Sequence, residues 1–153
     1  MKRLKRWGLG LGLAAAVLAL DQLTKALILQ RLELYRSVKV LGSFLKFTLV
    51  LNPNTVFGLY LGKNFPYVWV ISAIALFVLI ALFLEKSTLG TIAYGLILGG
   101  ALGNLLDRVR IGAVVDFINI GVGRYRWPYF NLADSAVVVG IGLLLIVSFR
   151  RER

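Results

Sequence analysis

The sequence predicts an all-α integral membrane protein with four membrane-spanning helices and a small extracytoplasmic β-hairpin or sheet in its first outer loop. Two observations predict this class. Hydrophobic residues make up 59% of the 153-residue chain and its mean hydropathy is +0.82, whereas soluble domains reach about 45–50% apolar residues even with glycine counted. Four segments also approach the roughly 20 apolar residues that a helix needs to cross a bilayer.

The first predicted span carries Asp21, Gln22 and Lys25 near its far end. The next two spans contain no charged residue, and the last has Asp134 close to its start. What remains between the spans is too fragmented for a separate soluble core, so we expect one domain over residues 1–153. The four spans are expected at residues 7–29, 66–84, 89–106 and 132–149.

The loop between the first two spans contains two short runs of β-branched and aromatic residues, 38–41 and 44–50. Gly42 and Ser43 separate these runs, as in a turn between two strands. The pattern predicts a short hairpin that lies on the membrane surface. An interfacial amphipathic segment is the alternative interpretation.

Basic residues at both ends of the chain indicate its orientation, because Lys and Arg are enriched on the cytoplasmic side of membrane proteins. An even number of spans places both termini on one side, so both are predicted to be cytoplasmic. The loops at residues 30–65 and 107–131 then face outward. The flanking basic residues are Lys2, Arg3, Lys5, Arg6, Arg150, Arg151 and Arg153.

The chain has no cysteine and no histidine. This excludes a thiol nucleophile, a disulfide, zinc sites built on Cys or His, and a Ser-His-Asp triad. Any acid–base chemistry is therefore expected from the seven carboxylates, and we expect no metal and no cofactor.

The net charge of +11 is divided between membrane flanks and outer loops, so we expect no nucleic-acid partner.

Five of the seven carboxylates have structural explanations. Glu33, Glu85 and Glu152 lie in or beside basic, polar stretches and are interpreted as solvated surface charges. Asp21 precedes Lys25 by one helical turn, which favours an ion pair, although a role in holding a substrate stays open.

The end of the third span offers a second polar group. Gly99 and Gly103 form a small-residue surface that lets another helix approach closely. Asn104 and Arg108 share a helix face one turn apart, and Asp107 lies within a turn of Asn104. This pattern is either a polar helix terminus at the interface, or Asn104 and Arg108 point inward as a polar scaffold around a site.

Asp116 and Asp134 are the remaining two acids. Asp116 stands in an apolar, strand-like run, where burial would raise its pKa. Asp134 follows Asn131, a plausible N-cap of the fourth span, and the helix dipole favours an anion there, so capping alone could explain it. Two carboxylates that share a proton can activate water, as in aspartic proteases. The context favours an anionic Asp134 and a protonated Asp116.

A small four-span transport or scaffold subunit is the alternative function, since intramembrane acids often form proton or ion relays. On that interpretation Asp116 and Asp134 line a path across the bilayer. Both acids fall near one face of the membrane, however, and the second and third spans carry no acid at mid-depth. The relay would then lack proton-carrying groups in the inner half of the membrane.

Four blocks of the chain, in this order and spacing, resemble the lipoprotein signal peptidase family, the bacterial type II signal peptidases. The blocks are residues 21–25, 52–58, 99–117 and 130–135, and the resemblance extends over about residues 7–149. One position departs from the family pattern, because Asn54 stands where a glycine is usual. Asn tolerates a left-handed backbone better than most residues, so we expect the turn to be kept.

The resemblance implies an aspartyl endopeptidase of the bacterial plasma (inner) membrane with its active site near the outer leaflet. Such enzymes remove the signal peptide from diacylglyceryl-modified prolipoproteins, cutting before the lipidated cysteine. Membrane lipids and globomycin-type cyclic peptide inhibitors are the other implied partners. The implied catalytic pair is Asp116 and Asp134, and the implied support residues are Asn52, Asn104, Arg108, Asn131, Asp21 and Lys25.

Overall fold

The computed structural model describes residues 3–53 and 65–151. Within them the chain forms four helices, all long and apolar enough to cross a membrane, and one four-stranded antiparallel sheet. The helices are α1 (Arg3–Arg31), α2 (Tyr67–Leu84), α3 (Thr88–Ile111) and α4 (Leu132–Arg151). The strands are β1 (Ser37–Leu41), β2 (Leu45–Asn52), β3 (Val114–Val122) and β4 (Tyr125–Arg126).

Helix α3 is the centre of the bundle and packs against each of the other three helices. In the most apolar stretch of α3, half of the residues are buried, whereas 17% are buried in the corresponding stretch of each other helix. Its glycines permit close packing on α1: a Cβ atom on Gly95 would lie 2.7 Å from the carbonyl oxygen of Gly10, and one on Gly99 would lie 2.6 Å from that of Ala14. The close approach predicted from the small-residue surface is confirmed.

The observed helices follow the predicted spans, with one informative difference. Helix α3 continues past the predicted end at residue 106, so that Asp107 and Arg108 lie within the helix and not at its terminus. It ends at Gly112, whose φ of 78° is left-handed and whose N–H bonds to the carbonyl of Arg108 at 3.1 Å. Glycine adopts this conformation without the cost that a Cβ atom adds.

The predicted hairpin is confirmed as β1 and β2, which pair in antiparallel register. The description "all-α" is too narrow, however, because the segment between α3 and α4 adds β3 and β4 to the same sheet. Strand β3 pairs with β2, opposing Asp116 to Val50 and Val114 to Asn52. The pairing satisfies backbone groups that an isolated β2 would leave open on that edge.

Helices and sheet meet where α3 ends and α4 begins. The backbone of Phe130 exchanges hydrogen bonds with Ile118 on β3, at 2.8 and 3.2 Å. Because Phe130 directly precedes Asn131, these bonds hold the start of α4 beside β3. The turn at Gly112 brings β3 back from the end of α3. The end of α3, the start of α4 and the adjoining ends of β2 and β3 therefore converge.

At the other end of α3, the interpretation of Glu85 as a surface charge is wrong. Its side chain is only 9% exposed, and Oε1 accepts the backbone N–H groups of Lys86 and Ser87 at 2.9 and 2.7 Å. Buried polar groups require such partners. Glu33, by contrast, is exposed and pairs with Arg36 at 3.3 Å, while Glu152 lies outside the described residues.

Candidate active site

Asn131 caps helix α4, as the sequence predicts. Its Oδ1 accepts the N–H of Asp134 at 2.9 Å, and Oδ2 of Asp134 accepts the N–H of Asn131 at 3.2 Å. This reciprocal pair is a capping box, in which two N–H groups at the start of a helix are satisfied by side chains. The carboxylate of Asp134 is thereby fixed in the first turn of α4.

The side chain of Asn131 also reaches the second aspartate. Its Nδ2 donates to Oδ1 of Asp116 at 2.8 Å, and the residue is fully buried. One residue therefore contacts both acids, Asp134 through its backbone N–H and Asp116 through its amide. The two aspartates identified from the sequence lie at the same site.

Asp116 is buried on β3 with both carboxyl oxygens engaged. Oδ2 accepts from Nδ2 of Asn52, the last residue of β2, at 2.8 Å. Burial raises the pKa of Asp116 from 3.8 to about 7. The hydrogen bonds donated by the side-chain amides of Asn52 and Asn131 lower the pKa of Asp116, and the nearby charge of Asp134 raises it. Desolvation is the largest influence. The result is an acid that retains a proton close to neutral pH.

Asn104 on α3 holds the other aspartate. Its Nδ2 donates to Oδ1 of Asp134 at 2.8 Å. Its Oδ1 accepts from Nδ2 of Asn131 at 3.1 Å and from Nζ of Lys25 at 3.0 Å. Two donors on the amide oxygen leave the NH₂ group pointing to Asp134, so the orientation of Asn104 is set by its neighbours.

Behind Asn104 lies a buried charge cluster. Nζ of Lys25 contacts Asp21 at 2.8 Å and Asp107 at 2.7 Å, in addition to Asn104. These three acceptors match the three N–H groups of an ammonium. The three charged side chains are at most 3% exposed. The predicted pair of Asp21 and Lys25 is present, but it is part of an interhelical cluster and not an isolated pair at a helix end.

The cluster is bonded to the backbone of the elements that carry the aspartates. Oδ1 of Asp21 accepts the N–H of Ala133, next to Asp134, at 2.9 Å. Oδ2 of Asp107 accepts the N–H of Val115, next to Asp116, at 3.1 Å. Each acid of the cluster therefore fixes the residue that precedes one of the two site aspartates.

Sequence reasoning missed two members of this arrangement. Gln22 donates to Asp107 at 2.9 Å and to the carbonyl of Gly103 at 3.2 Å. Asp107 was expected only at a polar helix terminus, and it bonds to Lys25 and Gln22 on α1. Spacing within one helix shows which residues share a face, but it does not show which residue of another helix they meet.

Arg108 is partly buried beside the same site. Its Nη1 lies 3.5 Å from the carbonyl oxygen of Asn104, and its guanidinium lies 5.8 Å from the ring centroid of Tyr67. It interacts electrostatically with both Asp116 and Asp134. A cation therefore stands next to the two acids.

All eight residues singled out from the sequence lie in the described part of the chain. The second block is only partly described, because Asn54 and the residues that follow it to Gly58 fall outside. Among residues 3–53 and 65–151, no group of three or more acidic side chains is arranged to hold a metal ion. The chemistry that the geometry offers is acid–base catalysis by two aspartates of different environment.

These features define a class: a multi-pass membrane protein whose helices and sheet together hold two aspartates between asparagine amides. A family model described as signal peptidase (SPase) II matches residues 13–150. The chain therefore belongs to the signal peptidase II family, membrane proteases of lipoprotein processing.

Individual relatives agree over nearly the whole chain. The lipoprotein signal peptidase of Syntrophotalea carbinolica is 40% identical over 144 residues, covering 90% of this chain and 89% of the relative. That of Geobacter sulfurreducens is 39% identical over 141 residues, covering 89% and 88%. Two solved structures described as bacterial membrane enzymes share the fold. One has a TM-score of 0.83 at 32% identity, covering 94% of this chain and 88% of that one. The other has a TM-score of 0.76 at 34% identity, covering 92% of each.

Proposed function

We propose that the chain is an aspartyl endopeptidase that removes the signal peptide from diacylglyceryl-modified prolipoproteins, cutting before the lipidated cysteine. Family membership supports the substrate class. The observation that carries the mechanism is the contact of Asn131 with both Asp116 and Asp134. A shared neighbour holds the two acids at one site while their environments differ.

In the first step, Asp134 is the carboxylate and Asp116 is the protonated acid. Asp134 accepts a proton from a water molecule whose oxygen attacks the scissile carbonyl carbon. Asp116 gives its proton to the carbonyl oxygen, which forms a neutral tetrahedral gem-diol. The raised pKa of Asp116 supports its role as the acid, because it then holds a proton near neutral pH.

In the second step, Asp134 returns its proton to the amide nitrogen and the C–N bond breaks. The hydroxyl proton of the gem-diol passes back to Asp116 as the new carboxyl group forms. The amine leaves on the lipidated cysteine, and both aspartates regain their starting protonation states. No covalent enzyme intermediate is formed. The two acids titrate as a coupled pair.

The neighbouring polar residues serve as supports. Asn52 and Asn131 orient Asp116 by donating to its two oxygens, and Asn104 orients Asp134. We propose that Arg108 hydrogen-bonds the scissile peptide, which its electrostatic interaction with both aspartates supports. Asp21 and Lys25 do not contact the substrate. Asp21 fixes the start of α4 through the N–H of Ala133, and Lys25 fixes the amide of Asn104.

For topology, we propose one domain in the bacterial inner membrane, with both termini cytoplasmic and the site near the outer leaflet. Asp116 lies on β3, shortly after the end of α3, and Asp134 lies in the first turn of α4, where the helices meet the sheet. A site at that depth allows the substrate to enter sideways while its acyl chains stay in the bilayer. The sheet then cradles the substrate on the outer side.

The alternative of a transport or scaffold subunit receives less support. Helix α2 carries no charged residue. The buried cluster pairs Lys25 with Asp21 and Asp107 and leaves no donor of the ammonium unused. These charges are fixed by partners, whereas a relay needs groups that exchange protons along a path.

The test is cleavage of a diacylglyceryl-modified prolipoprotein by the full chain reconstituted in phospholipid vesicles, followed by gel shift. We expect a product shorter by the signal peptide, no cleavage of the same precursor without the lipid, and loss of cleavage with globomycin. Equal cleavage of lipidated and unlipidated precursor would contradict the proposed substrate class. Proton or ion flux through the vesicles without cleavage would favour the transport alternative.

A further inference from the structure

Two hairpin turns lie side by side at the end of the sheet that points away from Asp116. The β1–β2 turn runs through residues 42–44, and the β3–β4 turn is formed by Gly123 and Arg124. The N–H of Gly121 bonds to the carbonyl of Phe44 at 3.0 Å, which joins the two turns. Ile120, where this region begins, lies roughly 13 Å from Asp116 along β3 at about 3.3 Å per residue. The turns therefore form a surface separate from the aspartates.

Arg126 holds the two turns in a fixed relation. Its guanidinium donates to the carbonyl of Ser43 in one turn at 2.6 Å, and to the carbonyl of Asn119 on β3 at 2.8 Å. Its Nε also donates to Oδ1 of Asn119 at 2.5 Å. Asn119 is buried, so this arginine is anchored below the surface. The hydrogen bonds of Arg126 therefore hold the two turns, and the side chains they expose, in a fixed arrangement.

Large apolar side chains are exposed on these turns. Val122, Tyr125 and Trp127 are 73%, 75% and 60% exposed, and a groove of about 570 Å³ runs between them and Phe44. Leu41 at the end of β1 is also exposed. Exposed apolar patches of this kind commonly mark sites of interaction. We call these five residues the tip patch.

The charge around the tip patch has a single sign. Residues 37–47 and 118–129 contain four basic residues and no acid. Arg124 is exposed, with its guanidinium 5.4 Å from the ring centroid of Tyr125. The basic residues are Lys39, Lys46, Arg124 and Arg126.

We propose that the tip patch is a membrane anchor that binds the headgroups of anionic phospholipids at the bilayer surface. Tyr and Trp favour the depth of the headgroups, and neighbouring Lys and Arg favour anionic lipids. Aromatic and basic residues are interleaved here on a sheet attached to four membrane-spanning helices. A polypeptide pairing with β4, the edge strand that carries Tyr125, is a poorer occupant of the patch, because β4 has only two residues to pair with it.

The experiment uses Trp127 as a fluorescent probe in a chain carrying Trp7→Phe and Trp69→Phe. The protein is reconstituted in nanodiscs in which a fixed fraction of the lipid carries a nitroxide on its headgroup. The labelled lipid is phosphatidylglycerol in one sample and phosphatidylcholine in the other. We expect phosphatidylglycerol to quench Trp127 at least about threefold more than phosphatidylcholine, and 0.5 M salt to reduce that ratio.

The charge contribution is tested by Lys39→Gln, Lys46→Gln and Arg124→Gln together, which should bring the quenching ratio to about one. The matched control changes Arg3, Lys5 and Lys86 to Gln. These residues are exposed at the other end of the helices, and the same loss of three charges should leave the ratio unchanged. Neither set includes a residue that contacts the two aspartates, and thermal unfolding of each variant reports on folding.

Three results would overturn the proposal. Quenching of Trp127 by aqueous acrylamide, with none by either lipid, would show that the tip patch faces water. Quenching that rises with the number of chains per nanodisc would assign the patch to a second copy. Protection of Trp127 only when a prolipoprotein is added would assign it to the substrate. None of these results depends on whether the two aspartates are catalytic.

Discussion

Lys25 and Asn104 are joined by a buried hydrogen bond of 3.0 Å between the ammonium and the amide oxygen. This bond crosses from α1 to α3 and leaves the amide nitrogen of Asn104 to donate to Asp134 at 2.8 Å. A charge on the first helix thus orients a side chain that contacts a site aspartate on the fourth. Lys25 is a positioning residue on this account.

Replacing Lys25 by Met should be strongly destabilising. The change leaves the buried carboxylates of Asp21 and Asp107 without their cation, a situation that costs about 3–5 kcal/mol. The measurement is the free energy of unfolding in detergent or lipid. Arg36→Met is the matched control, because its ion pair with Glu33 is exposed and should contribute less than about 1 kcal/mol. Equal effects of the two changes would contradict the role of the cluster.

Asn131→Ala should reduce kcat far more than it reduces stability. The loss of an N-cap costs about 1 kcal/mol, but this side chain also orients Asp116. Ser87→Ala is the matched control, since Ser87 caps α3 at the far end by accepting the N–H of Gly90 at 3.0 Å. Asn131→Ala should lose more stability than Ser87→Ala in thermal unfolding, because it also removes buried hydrogen bonds to Asp116 and Asn104, but only Asn131→Ala should lose activity. Comparable kcat values for the two variants would argue against the site.

Cleavage should decline as the pH rises through about 7, because Asp116 then loses the proton that the first step requires. Asn52→Ala removes a hydrogen bond that lowers the pKa of Asp116, so the alkaline limb should move to higher pH. The check is the pH dependence of kcat. A limb that stays in place would show that the titrating group is not Asp116.

Stability has a related pH dependence with a defined sign. The folded pKa of Asp116 lies above its ordinary value of 3.8. Its protonated form therefore stabilises the fold below about pH 4, and this contribution is lost as the pH rises through about 7. Asp116→Asn should reduce the pH dependence of the melting temperature over that range. An unchanged profile would contradict the burial of this acid.

Gly99→Ala should separate α1 from α3. The added Cβ would lie 2.6 Å from the carbonyl oxygen of Ala14, a backbone atom that cannot turn away. Overpacking of this kind costs about 1–3 kcal/mol. Gly12→Ala on α1 is the control, because its Cβ would meet nothing within 4 Å, and its thermal stability should be equal or higher. The result is read from thermal unfolding of the two variants.

The sequence predicted the helices well because a long apolar run has few alternatives. The second span matched almost to the residue, and Gly42 and Ser43 marked the first hairpin. The addition of β3 and β4 to the same sheet was not predicted. Strand pairing between two loops depends on where the helices place them, and local composition does not contain that information.

The site was predicted in part. Asp116 was recognisable because a carboxylate within an apolar run has no solvated explanation, and Asn131 and Asp134 had the spacing of a cap. The inclusion of Asp107 and Gln22 was not predicted, because their partners lie on another helix. The burial of Glu85 was missed for a similar reason, since its partners are backbone N–H groups of a turn.

The most direct test of the account is cleavage of a diacylglyceryl-modified prolipoprotein by Asp116→Asn and Asp134→Asn. Each amide keeps the size of the carboxyl group but cannot exchange the proton that the two-aspartate mechanism moves. We predict that each variant folds, as judged by thermal unfolding, and that each loses at least about a thousandfold in kcat, in the range seen for residues that carry the chemistry. Turnover near that of the parent chain by either folded variant would contradict the shared role of Asp116 and Asp134.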